Sequence, residues 1–165
     1  MKYSKWIEKV GKIFDKELQK ANVKFAYENA ARGFYFANST GTTLYFVENQ
    51  SVLSAKDFTE YKGLCKLFEE NAINGVLAKS ITPGSSNAHG MHYNLFRFNA
   101  GDYNVYVNSK LLKDFPKNTL FYTCGGRTKP VLACIENENG AFSPIALVFP
   151  INLCDNDFVQ EENAS

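Results

Sequence analysis

The sequence predicts one α+β domain built on a mainly antiparallel sheet. Hydrophobic residues make up 45% and aromatic residues 15% of its 165 residues, a composition that excludes a disordered chain. Apolar residues recur at helical spacing near the N-terminus, and later strand-forming segments are joined by short turns, which favours antiparallel pairing. The length corresponds to one domain, which we place at residues 1–154, followed by an acidic tail at 155–165.

An N-terminal amphipathic helix is predicted over residues 4–22, with Ser4 as its N-cap. Gly11 weakens its middle by about 1 kcal/mol relative to alanine. Its apolar positions repeat every three or four residues and share one face. These core-facing positions are Trp6, Ile7, Val10, Ile13, Phe14, Leu18 and Ala21.

A hairpin and a middle helix follow. Strands are predicted at 33–37 and 43–48, joined by an Asn-Ser-Thr-Gly turn, with a further strand near 52–55. Asp57 and Glu60 resemble a capping box, so a helix is expected from Phe58 to about Asn71. The residues expected to face the core from this helix are Tyr61, Leu64, Cys65 and Phe68.

The second half is predicted to be rich in strands. Residues 82–91 have the composition of a mobile loop. A short third helix is expected from Ser109 to Phe115, capped by Asn108 and stopped by Pro116. Strands are predicted at 93–98, 103–107, 119–124, 130–135 and 144–149.

The sequence indicates a cytoplasmic protein. No apolar segment follows the first residues, so no signal peptide is expected. No run of about 18 apolar residues is present, so no membrane contact is expected. The four cysteines form no C-x-x-C pair, which fits a reducing compartment.

Charge is distributed unevenly along the chain. The net charge is only +1, yet residues 1–24 hold seven lysines and three acids. Within the first helix, lysines spaced three or four apart fall within an arc of about 80°, and the neighbouring acids lie outside this arc. The pattern fits either a row of phosphate contacts or a solvated helix face. The lysines are Lys5, Lys9, Lys12, Lys16 and Lys20.

Motifs that would indicate catalysis or metal binding are weak. His89 and His92 lie in a predicted loop at a spacing from the cysteines that matches no common zinc pattern. Cys124 lies in an alternating strand, where a buried cysteine is ordinary. Residues 125–130 lack phosphate-loop spacing and are predicted to form a hairpin turn. We therefore expect no enzyme activity, no metal and no cofactor.

The C-terminal third resembles the last domain of the bacterial DNA polymerase β sliding clamp. The likeness covers residues 105–115, 120–132 and 146–153, in the order strand, short helix, strand, glycine turn, strand and closing strand. A second patch at 32–36 and 44–55 resembles the strand pair after the clamp's first helix. The Thr-Asp-Gly-His-Arg-Leu motif that the family often carries in that region is absent.

The resemblance implies a clamp-domain-like fold and two kinds of site. Clamp helices line a central hole and present basic residues to the backbone of duplex DNA, without reading sequence. By position, Lys110 and Lys113 would join the five helix lysines there. The family also binds polymerase peptides in an apolar pocket, and Asn152 replaces an arginine of that segment. The nearest matches to the pocket are Phe149, Pro150, Ile151 and Leu153.

Three functional hypotheses follow. The leading one is a non-catalytic, clamp-like DNA-associated protein, phage-encoded, acting as a homo-oligomeric ring or as a partner or mimic of a host clamp. The alternative is a protein-binding module, such as a phage inhibitor of a host factor, with no DNA role. The third is a small enzyme or ligand-binding domain that uses His89, His92 or Cys124.

Overall fold

A computed structural model describes residues 2–20, 26–48 and 60–161. Within these ranges it contains two α-helices and eleven β-strands in two antiparallel sheets. The predicted α+β class with mainly antiparallel pairing is therefore confirmed. The predicted strand near 52–55 and the capping residue Asp57 lie outside the described residues.

The two sheets differ in size. The helices are α1 (Tyr3–Lys20) and α2 (Leu64–Ala72). The larger sheet has the order β1-β2-β3-β10-β9-β8-β4, formed by Tyr27–Ala30, Gly33–Ala37, Thr43–Glu48, Phe142–Val148, Val131–Glu136, Leu120–Thr123 and Val76–Leu77. The smaller sheet has the order β11-β5-β6-β7, formed by Val159–Gln160, Ser80–Ser86, Tyr93–Asn99 and Asn104–Asn108.

Helix α1 packs on the larger sheet through its aromatic face. Trp6, Val10 and Phe14 are buried, as the helical spacing predicts. The Phe14 ring lies 5.3 Å from the Phe34 ring and 5.2 Å from the Phe36 ring, edge-on to both. Because the apolar stripe faces the sheet, none of the five lysines of the helix is buried.

The larger sheet is buried on both faces. Phe34 and Phe36 of β2 join the core that contains α1, whereas Tyr35 between them joins the core that contains α2, as the alternation of strand side chains requires. Phe98 of the smaller sheet also enters the core on the α1 side. The larger sheet is therefore the middle layer of the molecule.

The prediction of the middle helix was wrong at its start. Residues 60–63 are not helical, and α2 begins at Leu64. The Glu60 carboxylate accepts a hydrogen bond from the Asn29 amide at 2.7 Å, and the Tyr61 amide donates to the Tyr27 carbonyl at 2.8 Å. These contacts tie the segment to the edge of β1 and leave Tyr61 exposed, although the sequence placed it in the core.

The prediction of a mobile loop at 82–91 was also wrong. Residues Ser80–Ser86 form β5, which pairs with β6 along its whole length, and Ala88–Gly90 form a 3-10 turn. Pro83 and Gly84 disfavour strand structure locally. Pairing with a neighbour on each side overrides that preference.

The third helix is only a 3-10 turn, Ser109–Leu111. Its cap was predicted correctly, because the Asn108 side chain accepts a hydrogen bond from the Lys110 amide at 3.0 Å.

The N-terminal helix begins one residue before the predicted Ser4, which therefore lies inside α1. The hairpin of β2 and β3 is confirmed, and so is the hairpin of β8 and β9 across residues 124–130.

Replacing Trp6 with alanine should destabilise the fold by about 3–5 kcal/mol, because it removes a buried ring through which α1 packs into the core. Urea unfolding followed by far-UV circular dichroism measures the change. The control is Tyr61→Ala, which alters a side chain that is 59% exposed and should shift stability by less than about 0.5 kcal/mol. Equal effects of the two substitutions would contradict the packing of α1.

Candidate nucleic-acid interface

A groove of about 540 Å³ runs beside α1. One wall is the lysine-bearing side of the helix. The opposite wall is the segment after β7, which contributes Lys110, Leu111 and Lys113. Two parts of the chain that are distant in sequence therefore present ammonium groups to one concave surface.

Six of the seven lysines predicted to contact DNA line this groove. The exception is Lys5, which is exposed on the first turns of α1 and lies outside the groove. Two acids, Glu17 and Asp114, also line it. Because the six lysines outnumber them, the surface carries a strong net positive charge. The lysines that line it are Lys9, Lys12, Lys16, Lys20, Lys110 and Lys113.

Acids approach three of the helix lysines more closely than the sequence indicated. Lys9 lies 3.9 Å from Asp114 across the groove, and Lys12 and Lys20 lie 3.9 and 4.0 Å from acids of their own helix, Glu8 and Glu17. These lysine–acid contacts are long, and Lys12 and Lys20 are largely exposed, so such pairs contribute little. Lys16, Lys110 and Lys113 form no ion pair with any residue that the structure describes.

Polar residues that the sequence analysis did not single out form the floor of the groove. They are Asn38, Thr43 and Tyr45 of the β2–β3 hairpin. The Asn38 side chain accepts hydrogen bonds from the Thr42 and Thr43 amides at 2.8 and 3.1 Å, which fixes the turn. Burial raises the pKa of the Tyr45 phenol, and Asp114 and Glu17 raise it further, so this hydroxyl is neutral at physiological pH.

Glu17 joins α1 to the hairpin. Its carboxylate accepts a hydrogen bond from the Ser39 amide at 2.6 Å. This acid therefore holds the C-terminal half of α1 against the turn, in addition to reducing the groove's charge. No local pattern marks such a role, because Glu17 and Ser39 are 22 residues apart.

The helix wall of the groove is long enough to lie along a row of phosphates. From Lys9 to Lys20 the helix rises about 16 Å. One strand of B-form DNA presents about five phosphates over that length. A polyanionic strand could therefore contact several of the lysines at once.

The four residues expected to bind a protein partner lie in different parts of the fold and differ in accessibility. Leu153 is buried with Leu95 and Tyr106, so it has little surface to offer. Phe149 is half-buried against the core on the α2 side. Ile151 donates its amide to the Tyr106 carbonyl at 2.8 Å, and Pro150 is partly exposed.

The histidines and cysteines do not gather into a site. His92 Nδ1 lies 2.7 Å from the Asn87 side-chain oxygen on the surface, and His89 adopts a left-handed backbone conformation with φ of 60°. Burial raises the pKa of the Cys124 thiol to about 11, and burial with Cys124 nearby raises that of Cys134 to about 12. A nucleophilic cysteine requires the opposite shift. Among the described residues, no group of three or more His, Cys, Asp or Glu could hold a metal ion.

No family model, curated protein or solved structure matches this chain. The resemblance to a clamp domain, and the contact of the groove lysines with DNA, therefore remain predictions. In the described part of the chain, neither helix combines the length and the apolar character needed to cross a membrane.

Thiol alkylation at pH 8 should separate the cysteines by burial. Cys154 is exposed and should react fastest, whereas Cys124 and Cys134 should react only after denaturant is added, because their raised pKa values and burial deplete the reactive thiolate. Mass spectrometry of iodoacetamide-treated protein measures the order. Fast modification of Cys124 in the native protein would show that its thiol is accessible and ionised.

Proposed function

We propose that the protein is a non-catalytic DNA-associated protein that binds the phosphate backbone of duplex DNA in the groove beside α1. The clamp resemblance specifies the role further: a processivity factor working as a homo-oligomeric ring, or a phage-encoded partner or mimic of a host clamp. The observation that carries the proposal is the convergence of six lysines from two separate elements on one groove.

The charge of the groove is not explained by the stability of the fold. Like charges three or four residues apart on a helix repel one another and destabilise it by a few tenths of a kcal/mol per pair. Lys110 and Lys113 add further positive charge from the opposite wall. A polyanion in the groove would relieve this repulsion, and each neutralised phosphate would release counterions.

The groove suits backbone contact better than base recognition. Its cations are lysines, which act as point charges rather than as planar bidentate donors. Among the described residues that line it, the one aromatic residue is Tyr45, which is 5% exposed, so its ring has no free face on which a base could stack. Binding through this surface should therefore be independent of sequence.

The double substitution Lys16→Gln/Lys110→Gln should weaken duplex DNA binding and flatten its salt dependence. Each lost phosphate contact should reduce the slope of log K against log salt by about 1, so the slope should fall by about 2. Fluorescence anisotropy with a labelled duplex across a salt series measures it.

The matched control is Lys62→Gln/Lys66→Gln, which changes the net charge equally. Lys66 lies on α2, which packs against the opposite face of the larger sheet. The control should keep the wild-type slope. Equal losses in the two variants would mean that net charge, not the groove, governs binding, and a wild-type affinity that ignores salt would remove the proposal altogether.

A protein-binding module is the second candidate, and one surface favours it. Ile73, Val76 and Leu77 are 84%, 62% and 51% exposed. Val76 and Leu77 form β4, the edge strand of the larger sheet, and an exposed apolar edge can pair with another chain. For this candidate, Val76→Asp should abolish complex formation with a host replication protein, and Lys16→Gln/Lys110→Gln should leave it intact.

A further inference from the structure

The C-terminal segment Asp155–Glu161 lies on the outer side of the smaller sheet. Its strand β11 adds to the edge of β5 in antiparallel register, with Val159 opposite Ser85 and Gln160 opposite Gly84. The Glu161 amide extends the pairing by donating to the Pro83 carbonyl at 3.0 Å. The segment therefore binds to the sheet as an added strand.

One aromatic ring anchors the segment. The Phe158 ring lies 5.2 Å from the Tyr106 ring. The Arg97 guanidinium lies over the Phe158 ring, 4.9 Å from its centroid, within the range of a cation–π interaction. A Cβ atom at position 84 would collide with the Phe158 ring and the Val159 carbonyl. Gly84 thus opens the slot that the ring and the added strand occupy.

One carboxylate provides the second anchor. Asp155 Oδ1 accepts hydrogen bonds from the Tyr106 hydroxyl at 2.7 Å and from the Asn104 amide group at 3.3 Å, and it lies 3.2 Å from Arg127 Nη2. The hydrogen bond from Tyr106 is the main cause that lowers the pKa of the Asp155 carboxyl. Asn104 and Arg127 lower this pKa further, whereas burial acts in the opposite direction. The body of the domain supplies every one of these partners.

The segment is held by few contacts, and its site is longer than the segment. β11 pairs with only two of the seven residues of β5. Val159 is 63% exposed, and the side chain of Asp155 is 49% exposed. A short, exposed strand with two anchors belongs to the part of a protein that opens locally at low cost.

We propose that this face is a binding site for an extended acidic peptide of a partner protein, with a carboxylate three residues before an aromatic ring, and that the chain's own segment occupies it in cis. Arg97 and Arg127 supply the complementary charge, and the β5 edge supplies backbone hydrogen bonds. The partner's segment would displace Asp155–Glu161 and could pair with more of β5 than β11 does. The site is separate from the lysine groove and does not depend on DNA binding.

The test uses the full-length chain and a labelled peptide, Asp-Asn-Asp-Phe-Val-Gln-Glu, which copies the segment. The variant Asp155→Ala/Phe158→Ala removes both anchors of the cis occupant and leaves the site unchanged. It should bind the peptide at least about tenfold more tightly than the wild-type chain does, because a tethered competitor has an effective concentration near millimolar. Fluorescence anisotropy measures both affinities.

Two controls establish where the peptide binds. A peptide with alanine in place of phenylalanine should lose binding. Adding Arg127→Glu to the opened variant should weaken binding of the original peptide, and a peptide with lysine in place of its first aspartate should recover it, as a charge-swap cycle requires. Equal binding by the wild-type and opened chains, or by the two peptides, would overturn the proposal.

A second measurement covers the case in which the opened variant does not fold. Titrating the ¹⁵N-labelled wild-type chain with unlabelled peptide should shift the Glu161 amide resonance as its hydrogen bond to Pro83 is released. An unchanged resonance at millimolar peptide would overturn the proposal. Lys16→Gln/Lys110→Gln should not alter peptide binding, so failure here and failure of the DNA proposal are distinguishable.

Discussion

The packing of α1 on the larger sheet sets the geometry of the molecule. Trp6, Val10 and Phe14 are buried on one face of the helix, and each large side chain removed from water contributes about 1.5–3 kcal/mol. This burial fixes the rotation of the helix about its axis. Successive residues are about 100° apart, so fixing the aromatic stripe also fixes the direction in which the lysines project, and four of the five line the groove beside the β2–β3 hairpin.

The same packing determines the opposite wall of the groove. The Trp6 ring stacks on the Phe115 ring at 5.5 Å, and Phe115 closes the segment that carries Lys110 and Lys113. The salt bridge between Lys9 and Asp114 joins the two walls at the surface. The spacing of the cationic walls therefore depends on a core contact, so the charged surface and the hydrophobic core are parts of one arrangement.

The two proposed binding surfaces use different chemistry. The groove beside α1 gathers lysines, whose compact charges attract phosphates without directional constraint. The outer side of the smaller sheet instead combines two arginines with an aromatic ring, a glycine slot and a strand edge, which suits a peptide with defined side chains. Asp155 of the C-terminal segment pairs with Arg127 on this side of the smaller sheet and does not pair with the lysines of α1.

The sequence by itself determined the α+β class, the presence and apolar face of the first helix, the hairpin of β2 and β3, and the alignment of the lysines, because all of these follow from short-range periodicity. The predicted end of that helix at residues 21–22 lies outside the described residues. The sequence misplaced the start of α2 and took β5 for a loop, since contacts with distant partners override the preferences of Pro83, Gly84 and the residues near Glu60. Periodicity did not place Lys110 and Lys113 opposite α1, which only the clamp resemblance implied, and only the tertiary structure seated Phe158 beside Arg97. Contacts between residues this far apart depend on how the layers stack, which spacing along the chain does not encode.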